Sequence, residues 1–266
     1  MTTSTAERTA TAAFRPSPMR QIWVFAVREA LRVRTEIGQS IILAAFTPTI
    51  FLACFLATQR KIMEAQGIEY AQFLPPWVLV QVLFFLGGNA AVRVAQDAQD
   101  GVLRRTRTLP ISAVAPALGR AVIHFGHALV AIVVLLAVAF AFGFRFHGDP
   151  LTILLFFVVA LVLAMIVNIG FEAVALMVGA PDAVSPVLLL PTLIFSLMSV
   201  GLVPAERFPS WISGFVTQQP VSRVIAALRD LAAGTVGASL GIAAAWLAAL
   251  AALALASAAV TMRRSR

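Results

Sequence analysis

An all-α membrane protein is the fold class predicted, and three observations predict it. The chain has 266 residues, 60% hydrophobic and 12% charged, with a mean hydropathy of +0.92; soluble domains carry roughly 25% charged residues. Apolar runs near the roughly 20 residues that a bilayer core requires recur along the chain. The basic residues, nineteen arginines and Lys61, gather at the ends of those runs. The net charge of +8 therefore reads as topology rather than nucleic-acid affinity. The single cysteine, Cys54, excludes an intrachain disulfide and a cysteine metal cluster.

Residues 1–18 are rich in Thr, Ala and Arg without an apolar stretch. They read as a disordered cytosolic tail, although the composition also fits a transit peptide. Met19–Glu36 reads as an amphipathic helix, with Gln21, Arg28 and Arg32 on one face. Ile22, Trp23, Ala26, Val27, Ala30 and Val33 fill the other face. That pattern suits a helix lying in the membrane interface (19–36); a cytosolic extension of the first membrane helix is the other reading.

A single transmembrane domain then covers 19–262. The first span is expected over 37–58, with Pro48 kinking it, and 59–72 is a polar loop. The second span, 73–92, starts at Pro75, Pro76 and Trp77; Gly87, Gly88 and Asn89 near its other end would let a helix approach closely. A short helix is predicted near Gln96–Arg107, followed by a turn at Leu109-Pro110. The third and fourth spans are 117–144 and 151–178, joined by the tight turn FRFHGDP. The fifth is 183–203 and contains Pro186 and Pro191.

Pro204–Thr235 is too long for a turn and too polar to span. Pro209 opens one short helix bearing Trp211, and Pro220 opens a second. In the second, Val221, Val224, Ile225, Leu228 and Leu231 recur at helical spacing, with Arg223 and Asp230 elsewhere on its surface. Two half-amphipathic helices between spans suggest a re-entrant or interface-lying hairpin, tolerated at membrane depth when buried in protein or facing water. The sixth span, 236–262, repeats small residues every four positions (Gly237, Gly241, Ala245, Ala249; Ala248, Ala252, Ala256), a close-packing pattern. A basic tail, 263–266, ends the chain.

Six spans place both termini on one side. Fourteen basic residues lie on that side, five of them (Arg93, Arg104, Arg105, Arg107, Arg120) in the segment Arg93–Arg120; six lie on the other. By the positive-inside rule the richer side is cytoplasmic; the preference for Arg over Lys and the richness in Ala suggest a GC-rich bacterial genome, hence a bacterial plasma membrane.

Chemistry of the enzymatic kind is missing. There is no G-x-x-x-x-G-K-[ST] run, so no Walker-type loop for ATP phosphates, and no H-E-x-x-H or C-x-x-C. Few ionisable residues stand within apolar runs, and the polar residues of note there are His124, His127, Asn168 and Glu172. The histidine pair is read as packing or hydrogen bonding, with metal binding as the sharper alternative. Glu172 is expected to face protein or water, since a central charge costs about 2.5–3.5 kcal/mol on insertion scales. Its two readings are a structural partner, such as an arginine of the inner loops, and a transport role. Asn168 and Glu172 are four apart and share a helix face.

Three stretches taken together carry a resemblance. They are Asp100-Gly101-Val102-Leu103-Arg104-Arg105 with Leu109-Pro110-Ile111-Ser112 and Leu118-Gly119-Arg120; Gly201-Leu202-Val203-Pro204 with Phe208-Pro209-Ser210-Trp211; and Gln219-Pro220-Val221-Ser222 with Ala226-Ala227-Leu228-Arg229. In this order they resemble the membrane subunits of ABC type-2 exporters. The likeness is closest to the daunorubicin-resistance permease subfamily, in particular the B subunit of its lipid-exporting members, and runs from Arg20 to the C-terminus. It implies an interfacial helix, six spans, a short cytosolic coupling helix after the second span and an outer helical hairpin between the fifth and sixth. It also implies that Asp97, Asp100, Gly101, Arg104, Arg105 and Arg107 contact a separate ATPase subunit, and that Pro204, Phe208, Pro209, Trp211 and Pro220 shape an outer gate. By the same likeness two P-loop ATPase subunits bind ATP and magnesium, and this chain binds no cofactor. The second permease would be a related chain or another copy. Substrates would be bulky amphiphiles: anthracycline drugs or envelope lipids such as phthiocerol diesters. The family often has Glu where this chain has Asp100. A secondary transporter or channel subunit not driven by ATP is the alternative function.

Overall fold

Prolines punctuate this chain, and four of its helices begin on one. Pro75, Pro150, Pro181 and Pro220 each stand at a helix start. There the missing N–H costs nothing, because the first four amides of a helix have no internal partner. The computed structural model describes residues 23, 24, 27, 50–102 and 115–264. Among them there are helices and turns and no strand.

The helices are α1 (50–64), α2 (Tyr70–Phe73), α3 (Pro75–Gln99), α4 (Ala115–Ala141), α5 (Pro150–Val178), α6 (Pro181–Leu197), α7 (Ser210–Gln218), α8 (Pro220–Ala232) and α9 (Ala238–Arg264). A single 3-10 turn, Ala205–Arg207, precedes α7. Among the described residues, four stretches are long and apolar enough to cross a membrane: Tyr70–Gln99, Leu118–Ala141, Pro150–Val178 and Ala238–Thr261. α6 is a shorter apolar helix of 17 residues, about 26 Å at 1.5 Å per residue.

Several expected boundaries move. α1 continues to residue 64, past the predicted end at 58, because Arg60 and Glu64 form an i,i+4 ion pair at 2.7 Å. α3 runs to Gln99 rather than 92, so Gln96–Gln99 belong to it. The helix predicted over 96–107 is therefore broken: Gly101, at φ +71°, ends α3, and Val102 is helical again. α6 stops at Leu197, not 203, and Arg263 and Arg264 lie within α9 rather than in a tail. The expected tail at 1–18 falls outside the described residues. So does most of the 19–36 helix, of which Trp23, Val24 and Val27 are helical.

α5 is the axis of the bundle. It packs against α3, α4, α8 and α9. Its contact with α3 is close at Gly87, where a Cβ would stand 2.6 Å from Val167 Cγ1; Phe84 and Phe171 stack beside it with centroids 6.1 Å apart. Gly88 faces open space, so only one of the two glycines makes the expected approach. The small-residue pattern of α9 does not mark its packed face. Gly241, Ala245, Ala249 and Ala252 are exposed, whereas Ala243, Leu247 and Ala254 are buried. The packed face runs instead through Ala243, Leu247 and Ala254, where a Cβ on Gly170 of α5 would lie 3.7 Å from Ala254 Cβ.

The bundle has two polar ends. The basic end holds Arg93, Gly101, Arg120 and the α5–α6 turn, joined where Gln99 Nε2 donates to Gly179 O at 3.4 Å. The hairpin end holds the α4–α5 turn, α7 and α8. Two loops meet there glycine to glycine: a Cβ on Gly148 would lie 2.7 Å from Gly234 Cα, and His147 N donates to Ala232 O at 2.9 Å.

Candidate functional site

At the basic end the elements expected to contact a partner are partly visible. Asp97 is half-buried on the last turns of α3; Asp100 is exposed at its C-cap. The left-handed turn at Gly101 (φ +71°) redirects the chain as it leaves α3, a conformation that favours glycine. Arg104, Arg105 and Arg107 lie outside the described residues.

Just above this turn, three titratable side chains from two helices meet. Glu172 Oε2 accepts from Arg120 Nε at 3.2 Å, and Glu172 Oε1 is 2.8 Å from His124 Nε2. Arg120 and His124 are four apart on α4 and present one face to α5. The Glu172 side chain is only 15% exposed. Arginine beside it favours the ionised carboxylate, which answers the desolvation that a buried charge suffers. The arginine expected to meet Glu172 is thus Arg120. Asn168 does not join them: its Nδ2 donates to Ala164 O at 2.8 Å within α5. No group of three or more His, Cys, Asp or Glu side chains suited to a metal occurs among the described residues.

Between α4, α5 and α9 lies an apolar groove of ≈ 290 Å³. Phe125, Leu161, Met165, Ile169, Ala251 and Leu255 are among its walls, and every lining residue is apolar. It can hold hydrocarbon and offers nothing to orient a polar group.

The hairpin end is built differently. Pro204 caps the 3-10 turn and Pro209 caps α7. Trp211 is 81% exposed, Phe208 is half-buried, and Pro220 begins α8 behind the buried Gln219. α7 buries only Val216. α8 buries Val224, Ile225, Ala227, Leu228 and Leu231 into the main core. The hairpin therefore consists of one rooted helix and one loosely held helix.

The root depends on Arg229, which in the sequence is merely one more charge of that region. Its guanidinium donates to Phe73 O (2.9 Å), Val200 O (2.7 Å) and Gly201 O (2.7 Å). It also lies 3.4 Å from the centroid of the Phe73 ring. Burial pulls Arg229 down to about 9, opposed by Tyr70 and Asp230 nearby, so it is a cation at neutral pH. The available signal was position: Arg229 falls four residues after Ile225 and seven after Ser222, on the edge of the buried face of α8.

Residues 19–232 match the ABC-2 type transporter family. The chain belongs to that family. Among similar proteins is the doxorubicin resistance ABC transporter permease protein DrrB of Mycobacterium tuberculosis, 31% identical over 229 residues, covering 83% of this chain and 78% of that one. The probable doxorubicin resistance ABC transporter permease protein DrrC of the same organism is 31% identical over 144 residues, 54% of this chain and 52% of its own. The daunorubicin resistance ABC transporter permease protein DrrB1 of Streptomyces coeruleorubidus is 28% identical over 190 residues, 71% and 67% of the two chains. As an ABC-2 membrane subunit the chain is a multi-pass permease, a transport subunit, and in this family ATP is hydrolysed on a separate subunit.

Proposed function

We propose that the chain is the membrane-spanning subunit of an ATP-driven exporter that carries bulky amphiphiles outward across the bacterial plasma membrane. The observation that carries the reading is the break at Asp100–Gly101, at the basic end between two spanning helices. A family subunit without an ATP motif must receive work from another chain through polar surface. The exposed Asp100 and the half-buried Asp97 would contribute to such a surface, together with Arg104, Arg105 and Arg107 of the sequence that follows. Two P-loop ATPase subunits, carrying ATP and magnesium, would dock there.

Six spans fit this reading: the helix containing α1, then α3, α4, α5, α6 and α9. The basic end and both termini are then cytoplasmic, and the hairpin end faces outward. Pro204, Phe208, Pro209, Trp211 and Pro220 would form the outer gate, with α7 as its movable part. The relatives' names point to anthracyclines as substrates. A lipid of the phthiocerol diester kind suits the same wholly apolar groove, because hydrocarbon walls discriminate weakly, about 1–3 kcal/mol per methylene. Similarity to both DrrB and DrrC favours pairing with a related second permease over a copy of itself.

The test is Gly101→Pro, or Arg104→Glu with Arg105→Glu, in the complex with its ATPase. Insertion should persist while substrate-stimulated ATP hydrolysis is lost; full stimulation in either variant would contradict the docking assignment.

A further inference from the structure

Where α6 ends at Leu197, the chain runs on without regular structure to Pro204 at the depth of the bundle's hairpin end. Carbonyls released by a broken helix need donors, and at membrane depth water does not supply them. Here each donor is a named side chain. Ser196 O accepts from Ser199 Oγ (2.6 Å) and Trp77 Nε1 (3.2 Å). Met198 O accepts from Gln219 Nε2. Val200 O and Gly201 O accept from the two terminal nitrogens of Arg229. The third acceptor of Arg229, Phe73 O, is also a released carbonyl: Trp77 N turns instead to Leu74 O at 3.1 Å where Pro75 and Pro76 break the helix. Gly201 is pressed on Trp77, since a Cβ there would lie 1.8 Å from the indole Cδ1. One guanidinium thus joins two helix breaks, one before α3 and one after α6, to α8.

We infer that Arg229 is a positioning residue for transport: it clasps the unwound turn Met198–Gly201 and the α2–α3 break to α8, so that these three pieces form the fixed jaw of the hairpin end against which α7 works. Only arginine offers this geometry. Its planar fork presents several donors in fixed directions, whereas a lysine ammonium on a flexible stem serves as a point charge. The inference rests on the transport reading above for its functional half and on geometry alone for its structural half.

Two measurements on the intact complex separate those halves. In a Cys54→Ser background, Ser199→Cys places a thiol at a fully buried position of the turn. With Arg229 present, a membrane-impermeant maleimide added from outside should leave it protected. Arg229→Gln should raise its labelling rate about tenfold or more, as expected when a locally stabilised turn opens. Arg229→Lys, which keeps the charge and guards against a Gln variant that fails to fold, should give an intermediate rate. In proteoliposomes without the added cysteine, both variants should keep basal ATP hydrolysis and lose transported substrate per ATP, more severely for Gln. Equal protection of the thiol in wild type and both variants would overturn the clasp. Faster labelling with unchanged transport per ATP would overturn its role in transport. A labelling contrast in a wild-type complex that shows no ATP-driven transport would support the clasp and sink the transport reading instead.

Discussion

Arg120 and Arg229, both half-buried in the bundle, are accommodated in different ways. Arg120, at the basic end, meets a carboxylate: Glu172 neutralises it and His124 completes the contact. Arg229, at the hairpin end, bonds to backbone carbonyls and an aromatic face. The first arrangement ties two unbroken helices, α4 and α5, side chain to side chain. The second ties broken helix ends, so the path of the backbone depends on it. Removing a partner in the first strands a charge; removing Arg229 strands carbonyls. The contrast teaches that the basic end is built as two continuous helices tied side chain to side chain, and the hairpin end as broken backbone held by side-chain donors, with Arg229 supplying three of the bonds.

The largest effect should come from Glu172→Ala. It leaves Arg120 without its countercharge, and breaking a buried pair costs about 3–5 kcal/mol. Thermal unfolding in detergent should fall steeply, and the double variant Glu172→Gln with Arg120→Gln should recover much of the loss. If the single and double variants melt alike, the pair is not the tie between α4 and α5. Next comes Gly201→Ala, which drives a methyl into the Trp77 ring. Overpacking of this kind costs about 1–3 kcal/mol, and Trp77 emission should shift as the indole is displaced. Gly87→Ala meets Val167 Cγ1 at 2.6 Å and Phe171 Cδ2 at 3.3 Å, a looser fit than the methyl on the Trp77 ring, so its cost should be smaller. Trp211→Ala should lie within about 0.5 kcal/mol of wild type in stability, as exposed positions do; a large drop in stability would show that α7 is rooted like α8.

The smallest effect is a pH dependence at the α4–α5 turn. The Thr152 amide, then its hydroxyl, hold the exposed Asp149 carboxyl below its ordinary value of 3.8. Its folded pKa being the lower, its contribution is present above pH 3.8 and is lost as pH falls through the folded value. Asp149→Asn should flatten the acid limb of the stability curve slightly.

What the sequence made legible follows from which forces act locally. Apolar length, proline starts and the periodicity of Val224, Ile225, Leu228 and Leu231 are local, and the helices and the rooted face of α8 appear where they were expected. Helix ends were harder. α6 stops at Leu197 where Trp77 takes the Ser196 carbonyl and Gln219 and Arg229 hold the carbonyls of the turn that follows, and those residues are distant in the chain. The reverse holds for α9, whose small residues suggested a packed face through Gly241, Ala245 and Ala249, whereas Ala243, Leu247 and Ala254 are the buried ones. Glu172 was readable as a residue needing a partner, since a membrane charge is costly. Arg229 was not, because its partners are backbone atoms and leave no mark in composition.

The central claim is that work enters this family member from another chain at the Asp97–Arg107 segment. The most direct measurement is drug efflux from proteoliposomes holding the chain with a P-loop ATPase co-purified with it, using doxorubicin as the probe, with and without ATP and with an imposed proton gradient. The account predicts accumulation that requires ATP and the ATPase and is abolished by Gly101→Pro. Accumulation driven by the gradient alone, without ATP or the ATPase, would contradict it.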